Sequence, residues 1–220
     1  AVNGYDITNT YNPETVDITG TKTWDDNDNQ DGLRPESIII NLLANGEKVA
    51  TTEATEASNW TFEFKDQVVY ANGEKITYTV EEVSVDGYTT KIEGFDVTNH
   101  HTPETVSYTV SKVWNDQNNN DGMRPESITV RLLADGKEIA SKVVTADTEW
   151  KYTFTNVDKY ANGKEITYTV TEDAVTGYEG TVNGMDITNK HTPITITING
   201  EKVWVDENDT SKFSEAQTHK

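Results

Sequence analysis

The chain has 220 residues and a formal net charge of −20, from 18 basic and 38 acidic side chains. A surface this acidic repels nucleic acid and anionic lipid, and no apolar run is long enough to span a bilayer, so we expect no nucleic-acid partner and no direct membrane insertion. The absence of cysteine excludes disulfides and thiolate metal sites.

The first residues already match a later part of the chain. Residues 5–15, YDITNTYNPET, are similar to 95–105, FDVTNHHTPET, which close a long repeat. In that repeat residues 16–103 align with 106–193 without a gap, and roughly half of the aligned positions are identical. This repeat length suits one compact domain. We therefore predict that 1–15 is the tail of a preceding repeat, 16–103 is module 1, 106–193 is module 2, and 194–220 is the first strand of a following repeat plus an unassigned tail.

The sequence predicts that each module is a series of short β-strands. Segments such as ESITVRLLADGKEIASKVV, WKYTFTNV and EITYTVTEDAV are rich in β-branched and aromatic residues, alternate with period two, and are broken by Asp-Gly or Asn-Gly. About seven strands per module, with no sustained helical period, predict an all-β fold of tandem immunoglobulin-like antiparallel β-sandwiches. The connection HTPE predicts a short, stiff link between modules.

The opening strand of each module carries a lysine on its apolar face. Residues two apart in a strand point to the same side. In module 2 the residues on one face are Val106, Tyr108, Val110, Lys112 and Trp114. In module 1 they include Ile18, Lys22 and Trp24. Lys22 and Lys112 are therefore predicted to point into the core.

The loop after the opening strand, NDNQDG in module 1, raises a calcium hypothesis. Asn27, Asn29 and Asp31 have the spacing of the first EF-hand ligands, but the twelfth position is Ile38 where a bidentate glutamate is expected. In the second copy the first ligand position is Gln117. The alternative is a long turn in which Asn and Asp side chains bond the local backbone and a following arginine ties the loop down.

Two later strands also place a polar residue on an apolar face. In the segment ITYTVEE of module 1 that residue is Glu82, and its counterpart in module 2 is Glu172. Glu81 is excluded because its parity faces outward and its counterpart is a threonine. In the last strand the inward polar residue is Asn99, and in module 2 it is Asn189. Each core is thus predicted to receive one lysine, one glutamate and one asparagine.

Two interpretations of this set remain open from the residues alone. The first is a buried Lys–Glu ion pair with the asparagine satisfying leftover hydrogen bonds, which contributes little net stability. The second is chemical, because burial lowers the pKa of a lysine and raises that of a carboxylic acid, giving a neutral amine beside a neutral acid. That amine can attack the asparagine carbonyl, with loss of ammonia, to form a Lys–Asn isopeptide bond.

The modules resemble the B-type repeat domains of collagen-binding adhesins and Gram-positive pilins, the CnaB family. The resemblance rests on VWNDQNNNDGMRPESITVRLLADG, YANGKEITYTVTEDAVTGY and MDITNKHTP in module 2, with KTWDDNDNQDGLRPESI, YTVEEVSVDGY and FDVTNHHTP in module 1. It implies an isopeptide between a first-strand lysine and a last-strand asparagine, assisted by an acid. Residue by residue, this gives Lys22, Asn99 and catalytic acid Glu82, then Lys112, Asn189 and catalytic acid Glu172.

The two ends of the chain carry incomplete copies of this set. Asn9 has no lysine or glutamate of its own module, and Lys202 has no acid or asparagine, so we expect neither to be cross-linked. The residues after Asp206 depart from the repeat and are not assigned. His100, His101 and His191 near the module ends are interpreted as linker residues because no ligand set surrounds them.

The predicted function is structural. We predict stalk or spacer repeats of a bacterial cell-surface adhesin or pilin-like protein, which need only an acidic surface without apolar or basic patches. The alternative is that the modules themselves bind a host or matrix ligand, and they should then carry a distinctive aromatic or basic patch. No nucleophile elbow, phosphate loop or paired-His zinc motif is present, so we expect no cofactor and no enzyme activity beyond one intramolecular reaction. The resemblance implies an extracellular, cell wall-anchored location, neighbouring repeats as partners, and a ligand bound through another domain.

Overall fold

The computed structural model describes residues 2–203, which form β-strands joined by turns and two short 3₁₀ helices at Glu56–Ser58 and Ala146–Thr148. A short hairpin comes first, with strands β1 (Val2–Asn3) and β2 (Asp6–Ile7). Within the described range no helix is both long and apolar enough to cross a membrane.

Seven longer strands and one small hairpin make up the first sandwich. Its strands are β3 (Thr15–Asp25), β4 (Ser37–Ala44), β5 (Glu47–Thr55), β6 (Thr61–Val68), β7 (Tyr70–Ala71), β8 (Glu74–Lys75), β9 (Tyr78–Glu82), β10 (Thr89–Glu93) and β11 (Asp96–His100). One sheet has the order β10-β11-β3-β6 and the other has the order β5-β4-β9. The strands β7 and β8 pair with each other.

The second sandwich repeats this arrangement. Its strands are β12 (Thr105–Asn115), β13 (Ser127–Ala134), β14 (Lys137–Thr145), β15 (Lys151–Asp158), β16 (Tyr160–Ala161), β17 (Lys164–Glu165), β18 (Tyr168–Glu172), β19 (Glu179–Asn183) and β20 (Asp186–Lys190). The sheet orders are β15-β12-β20-β19 and β14-β13-β18. The chain is therefore all-β, with two tandem sandwiches.

Asn-Gly and Asp-Gly dipeptides form the tight hairpin turns that the sequence predicts. Asn45 and Gly46 join β4 to β5 with φ values of 51° and 89°, and Asp135 and Gly136 do the same in the second sandwich with 48° and 82°. Positive φ at both turn positions gives the backbone twist that matches a two-residue hairpin loop. These dipeptides therefore fix the register of the two outer hairpins.

One strand pair in each sandwich departs from the expected antiparallel pairing. The first and last strands run parallel, β3 beside β11 and β12 beside β20. The remaining ladders described in residues 2–203 are antiparallel. Parallel strands need a long crossover, and here the rest of the sandwich provides it. The first and last strands of each sandwich are therefore neighbours in one sheet.

The apolar residues of the two sheets meet between them. The first core contains Ile18, Ile38, Ile40, Leu42, Ala54, Phe62, Phe64, Val80 and Val97. The second contains Val110, Ile128, Val130, Leu132, Val144, Phe154, Val170 and Ile187. Four tryptophans pack against these cores as edge-to-face pairs, Trp24 with Trp60 and Trp114 with Trp150. Such pairs add to the stabilisation from buried area alone.

The first strand of a following repeat is predicted within residues 194–220, of which the structure describes 194–203. Residues 191–203 have no strand structure, and Ile198 is 83% exposed. Trp204 and the unassigned residues 207–220 lie outside the described residues. Asn9 is exposed in a non-strand segment.

Candidate functional site

The buried lysine of each sandwich lies on the first strand, as the alternation predicts. Along β3 the buried positions include Ile18, Gly20 and Lys22, and their neighbours are exposed. Lys22 is 4% exposed and Lys112 is 6% exposed. The tryptophan two residues later covers the amine, with Nζ of Lys22 at 3.9 Å from the ring centroid of Trp24. The lysine is therefore held in the core beside an aromatic ring.

The asparagine lies on the neighbouring parallel strand. In the register of β3 with β11, Lys22 is opposite Val97 and Trp24 is opposite Asn99, so the lysine and the asparagine are diagonal neighbours on one face. Asn99 and Asn189 are 0% and 1% exposed. Their Oδ1 atoms are buried and accept no hydrogen bond within the described residues. Each asparagine carbonyl is therefore available to a donor in the core.

The glutamate reaches the same point from the opposite sheet. Glu82 ends β9, and its Oε1 atom is 3.6 Å from Nζ of Lys22 and accepts a hydrogen bond of 3.1 Å from Nδ2 of Asn99. In the second sandwich Nζ of Lys112 donates to Oε2 of Glu172 at 3.0 Å. The three residue types thus meet in the first core, and in the second core the lysine bonds the glutamate while Asn189 lies on the strand paired with that of Lys112.

Burial sets the protonation of the lysines. Desolvation lowers the pKa of Lys22 to about 8, although the nearby Glu82 carboxylate acts in the opposite direction. Desolvation also lowers the pKa of Lys112, again against the effect of its glutamate. A lower pKa increases the fraction of neutral amine near neutral pH, and the neutral amine is the nucleophilic form. The sites are therefore electrostatically suited to attack by lysine nitrogen.

Asn27, Asn29 and Asp31, the residues of the calcium hypothesis, each bond another group of the protein. Oδ1 of Asn29 accepts from the backbone N–H of Arg34 at 3.0 Å, and the side chain of Asn27 bonds Gln30. Oδ2 of Asp31 is 2.9 Å from Nε2 of His101. Among the described residues there is no group of three or more His, Asp or Glu side chains arranged to hold a metal ion.

Sequence reasoning missed the buried aspartate that organises this loop. Asp26 is 1% exposed and accepts hydrogen bonds from Arg34 Nη2 at 2.7 Å and from the hydroxyl of Tyr88 at 2.8 Å. The equivalent Asp116 binds Arg124 in the same way, and these hydrogen bonds hold the pKa of Asp116 far below its usual range. The signal available in the sequence was the repetition of all three residues 90 positions apart.

A second missed feature ties each loop to the linker that follows it. Oδ2 of Asp31 also accepts from the backbone N–H of Glu104 at 2.8 Å, while Nδ1 of His101 bonds the carbonyl of Gly87 at 2.8 Å. In the second sandwich Asp121 holds His191 at 3.1 Å and the N–H of Ile194 at 3.0 Å. His101 and His191 therefore fix the linkers, whereas His100 pairs with the exposed Asp25.

Comparison with known proteins agrees with this architecture. The family described as Cna protein B-type domain matches residues 18–100 and 108–190. A collagen adhesin from Staphylococcus aureus is 48% identical over 208 residues, which are 91% of this chain and 18% of the adhesin. The chain thus spans about a fifth of that relative's length.

A solved structure of two repeats shares this architecture. The crystal structure of two B repeat units of the collagen-binding protein of S. aureus has a TM-score of 0.75 and 45% identity, covering 88% of this chain and 54% of that one. A single B repeat unit of the same surface protein is 46% identical, with a TM-score of 0.40, and covers 82% of this chain and all of its own. Because the family model matches residues 18–100 and 108–190, more than half of its length, the chain belongs to the family of Cna protein B-type domains.

Proposed function

We propose that each module closes its own isopeptide bond, Lys22 to Asn99 in module 1 and Lys112 to Asn189 in module 2, with Glu82 and Glu172 as the catalytic acids. The observation that carries this proposal is the same placement in both cores: a buried lysine beside a glutamate, with a buried asparagine on the strand that pairs with the lysine strand. A structural ion pair alone does not account for the unpartnered Oδ1 of both asparagines.

The reaction is an acyl transfer within one chain. A proton passes from the lysine to the glutamate, and the neutral amine then attacks Cγ of the asparagine while the glutamate polarises the carbonyl. The bond between lysine Nζ and asparagine Cγ forms, and the bond between Cγ and Nδ2 breaks. A proton lost by the amine passes through the glutamate to the leaving nitrogen, which departs as ammonia. The glutamate is regenerated, and each module reacts once.

The position of the bond gives it a mechanical role. It joins the first strand to the last strand, which are adjacent and parallel in one sheet. Tension applied along the chain would enter at one of these strands and leave at the other, so the bond would bypass most of the sandwich. The bond would also close a loop of about 77 residues. By the loop-entropy estimate used for disulfides, this cross-link would stabilise the folded module by about 4–5 kcal/mol. That is large beside the stability of a small domain.

These properties suit the stalk of a cell-surface adhesin. The collagen adhesin of S. aureus contains similar repeats and is about five times longer than the matched region. We place this chain outside the cell, in a cell wall-anchored surface protein that holds a separate ligand-binding domain at a distance. Neighbouring repeats of the same chain are its direct partners, and a host or matrix ligand would be bound elsewhere in the protein.

The surface favours a spacer over a binding module. The four tryptophans of the two sandwiches are packed against the cores. Of the exposed tyrosines in residues 4–203, Tyr5 and Tyr11 lie outside the sandwiches and Tyr70 alone lies in one. A protein-binding surface usually centres on clustered aromatic and arginine side chains. We expect immobilised fibrillar collagen to retain none of this segment in a binding assay. Saturable binding would instead support the alternative that the modules themselves recognise a matrix ligand.

Intact mass under denaturing conditions tests the cross-links. Each bond releases one ammonia, about 17 Da, so two bonds lower the mass by about 34 Da. The Glu82→Ala/Glu172→Ala double variant should keep the full mass of its own sequence. An unmodified mass in the wild-type chain would mean that the two buried sets are ordinary polar networks.

Single-molecule stretching tests the stalk. Wild-type modules should resist extension, whereas Lys22→Met should let module 1 unfold and release about 77 further residues, roughly 250 Å of chain. Module 2 in the same molecule serves as the control. Extension of wild-type module 1 by this length would contradict the mechanical role.

A further inference from the structure

The two candidate sites differ at one position beside the acid. In module 1 the residue opposite Asn99 across the β10–β11 ladder is Thr90, and its hydroxyl donates a hydrogen bond of 2.6 Å to Oε2 of Glu82. In module 2 the residue opposite Asn189 is Gly180, which has no side chain. The lysine, the acid and the asparagine are the same in both modules, so this position is a natural difference between two copies of one site.

In module 1 the two carboxyl oxygens of Glu82 have different partners. Oε1 of Glu82 faces both reacting groups, at 3.6 Å from Nζ of Lys22 and 3.1 Å from Nδ2 of Asn99. Oε2 is held by Thr90 on the other side. The terminal torsion of a glutamate is broad, so without such a partner the carboxyl plane can turn away from the lysine and the asparagine.

In module 2 the second oxygen has no such partner. Oε2 of Glu172 accepts from Lys112, while the buried Oε1 makes no hydrogen bond within the described residues. A cavity of about 350 Å³ lies beside it and is lined by Glu172, Tyr178, Gly180 and Asn189 among others. A Cβ atom built at Gly180 would lie 3.9 Å from Oε2 of Glu172 and 3.1 Å from Oδ1 of Asn189. Gly180 therefore offers no hydroxyl to the acid of the second site, and a Cβ atom there would crowd the asparagine carbonyl.

We propose that Thr90 is a positioning residue for cross-linking in module 1. By donating to Oε2, the hydroxyl keeps Oε1 of Glu82 turned toward Lys22 and Asn99, where it can take a proton from the amine and pass it to the leaving nitrogen. Thr90 itself is unchanged by the reaction and gains or loses no proton. This inference rests on the proposed isopeptide, since a site that forms no bond has no reaction to position.

The test measures cross-linking rates in both modules of one chain. Newly synthesised full-length chains are held unfolded in urea, and dilution starts folding and reaction. Samples are quenched in acid, digested and analysed by mass spectrometry for the peptide pairs that join Lys22 to Asn99 and Lys112 to Asn189. Thr90 is an exposed residue of β10, so replacing it by valine or serine should leave the strand intact.

The two variants separate hydrogen bonding from packing. Thr90→Val keeps the shape and β-propensity but loses the hydroxyl, and we expect module 1 to react about tenfold more slowly, the effect of one hydrogen bond to a charged or reacting group. Thr90→Ser keeps the hydroxyl but loses the methyl group, and we expect a rate within about twofold of wild type, because the donor is retained. Module 2 should react at the same rate in all three chains.

Each outcome has a distinct meaning. A wild-type rate in Thr90→Val, or a serine variant as slow as the valine variant, would overturn the role of Thr90 while leaving the cross-link in place. Absence of both cross-linked peptide pairs from the wild-type chain would overturn the proposed function itself.

Discussion

A lysine that is fully removed from water is costly to a protein unless its charge is paired or lost. The side chains of Lys22 and Lys112 are 0% exposed, and each has one glutamate as its carboxylate partner. Burial lowers the pKa of both lysines in spite of those partners. A buried pair of this kind is a weak stabiliser because two desolvation penalties oppose its attraction. The residues are better explained by the reaction that they can perform.

Replacing the nucleophile tests this at the residue scale. Lys112→Met keeps most of the side-chain volume but removes the amine, so module 2 cannot close its bond. We expect its free energy of unfolding to fall by at least about 4 kcal/mol from the lost loop constraint. The melting temperature of module 2 should fall by roughly 15–30 °C in differential scanning calorimetry. Module 1 is the internal reference.

Two further variants isolate the bond from other effects of the substitution. Lys137→Met makes the same chemical change at an exposed strand position and should leave melting unaltered. Asn189→Ala also prevents the bond but retains the pair of Lys112 with Glu172. Equal melting temperatures for Asn189→Ala and the wild-type chain would contradict the stabilising role of the cross-link.

At the scale of elements, the loop after the first strand and the linker after the last strand form one unit. His101 bonds two acceptors, the carboxylate of Asp31 and the carbonyl of Gly87. His191 does the same with Asp121 and Gly177. Both ring nitrogens must carry protons to donate both bonds, so the hydrogen bond to the aspartate raises the pKa of each histidine.

This arrangement predicts a pH dependence of stability. A histidine whose folded pKa lies above its unfolded value binds more protons when folded, so its stabilisation is complete below the unfolded pKa of about 6.5 and is lost as the pH rises through the folded value. In urea unfolding, we expect the His101→Gln/His191→Gln double variant to be less stable than wild type at acidic pH. The difference should shrink as the pH rises above neutrality.

The neighbouring histidine provides a control for this prediction. His100→Gln changes a side chain that is 54% exposed and lies outside the loop and linker contacts of His101. It should leave the pH dependence as in the wild-type chain. A difference between wild type and the double variant that is constant with pH would show that the two histidines act through packing and not through charge.

At the scale of the whole molecule, two glycines join the sandwiches. The N–H of Gly163, in the turn between β16 and β17, donates to the carbonyl of Gln30 at 3.0 Å. A Cβ atom at Gly32 would lie 2.5 Å from Cα of Gly163, closer than any side chain can approach. Lys159 adds an ion pair of 2.7 Å with Glu104 in the linker. The loop that holds the linker thus also contacts the next module.

The repeat supplies a matched control for this contact. Gly32 and Gly122 are equivalent, with φ values of 72° and 67°, but a Cβ atom at Gly122 would meet nothing within 4 Å. Gly32→Ala and Gly122→Ala should therefore share the same backbone strain, about 1 kcal/mol. We expect Gly32→Ala alone to make the two modules tumble more independently in nuclear spin relaxation. Identical tumbling in both variants would mean that the glycine contact does not set the junction.

Much of the fold could be predicted from the sequence because it depends on local and periodic signals. The inward lysines, the two Asn-Gly and Asp-Gly hairpins and the tandem sandwiches follow from alternation and turn chemistry. The parity of Glu82 and Glu172 likewise placed the acids on the core side of their strands. The parallel pairing of first and last strands could not be predicted, because pairing between strands distant in sequence leaves no local pattern.

The sequence by itself determined which side chains enter each core, because strand parity and a repeat 90 residues long assign lysine, glutamate and asparagine to inward positions twice. Only the tertiary structure decided that the lysine meets its acid in both cores, with Glu82 and Glu172 crossing from the opposite sheet. It also decided that Thr90 reaches the acid while Gly180 leaves it open, and that Asp31 holds the linker. These contacts join residues far apart in the chain, where sequence periodicity carries no information about distance.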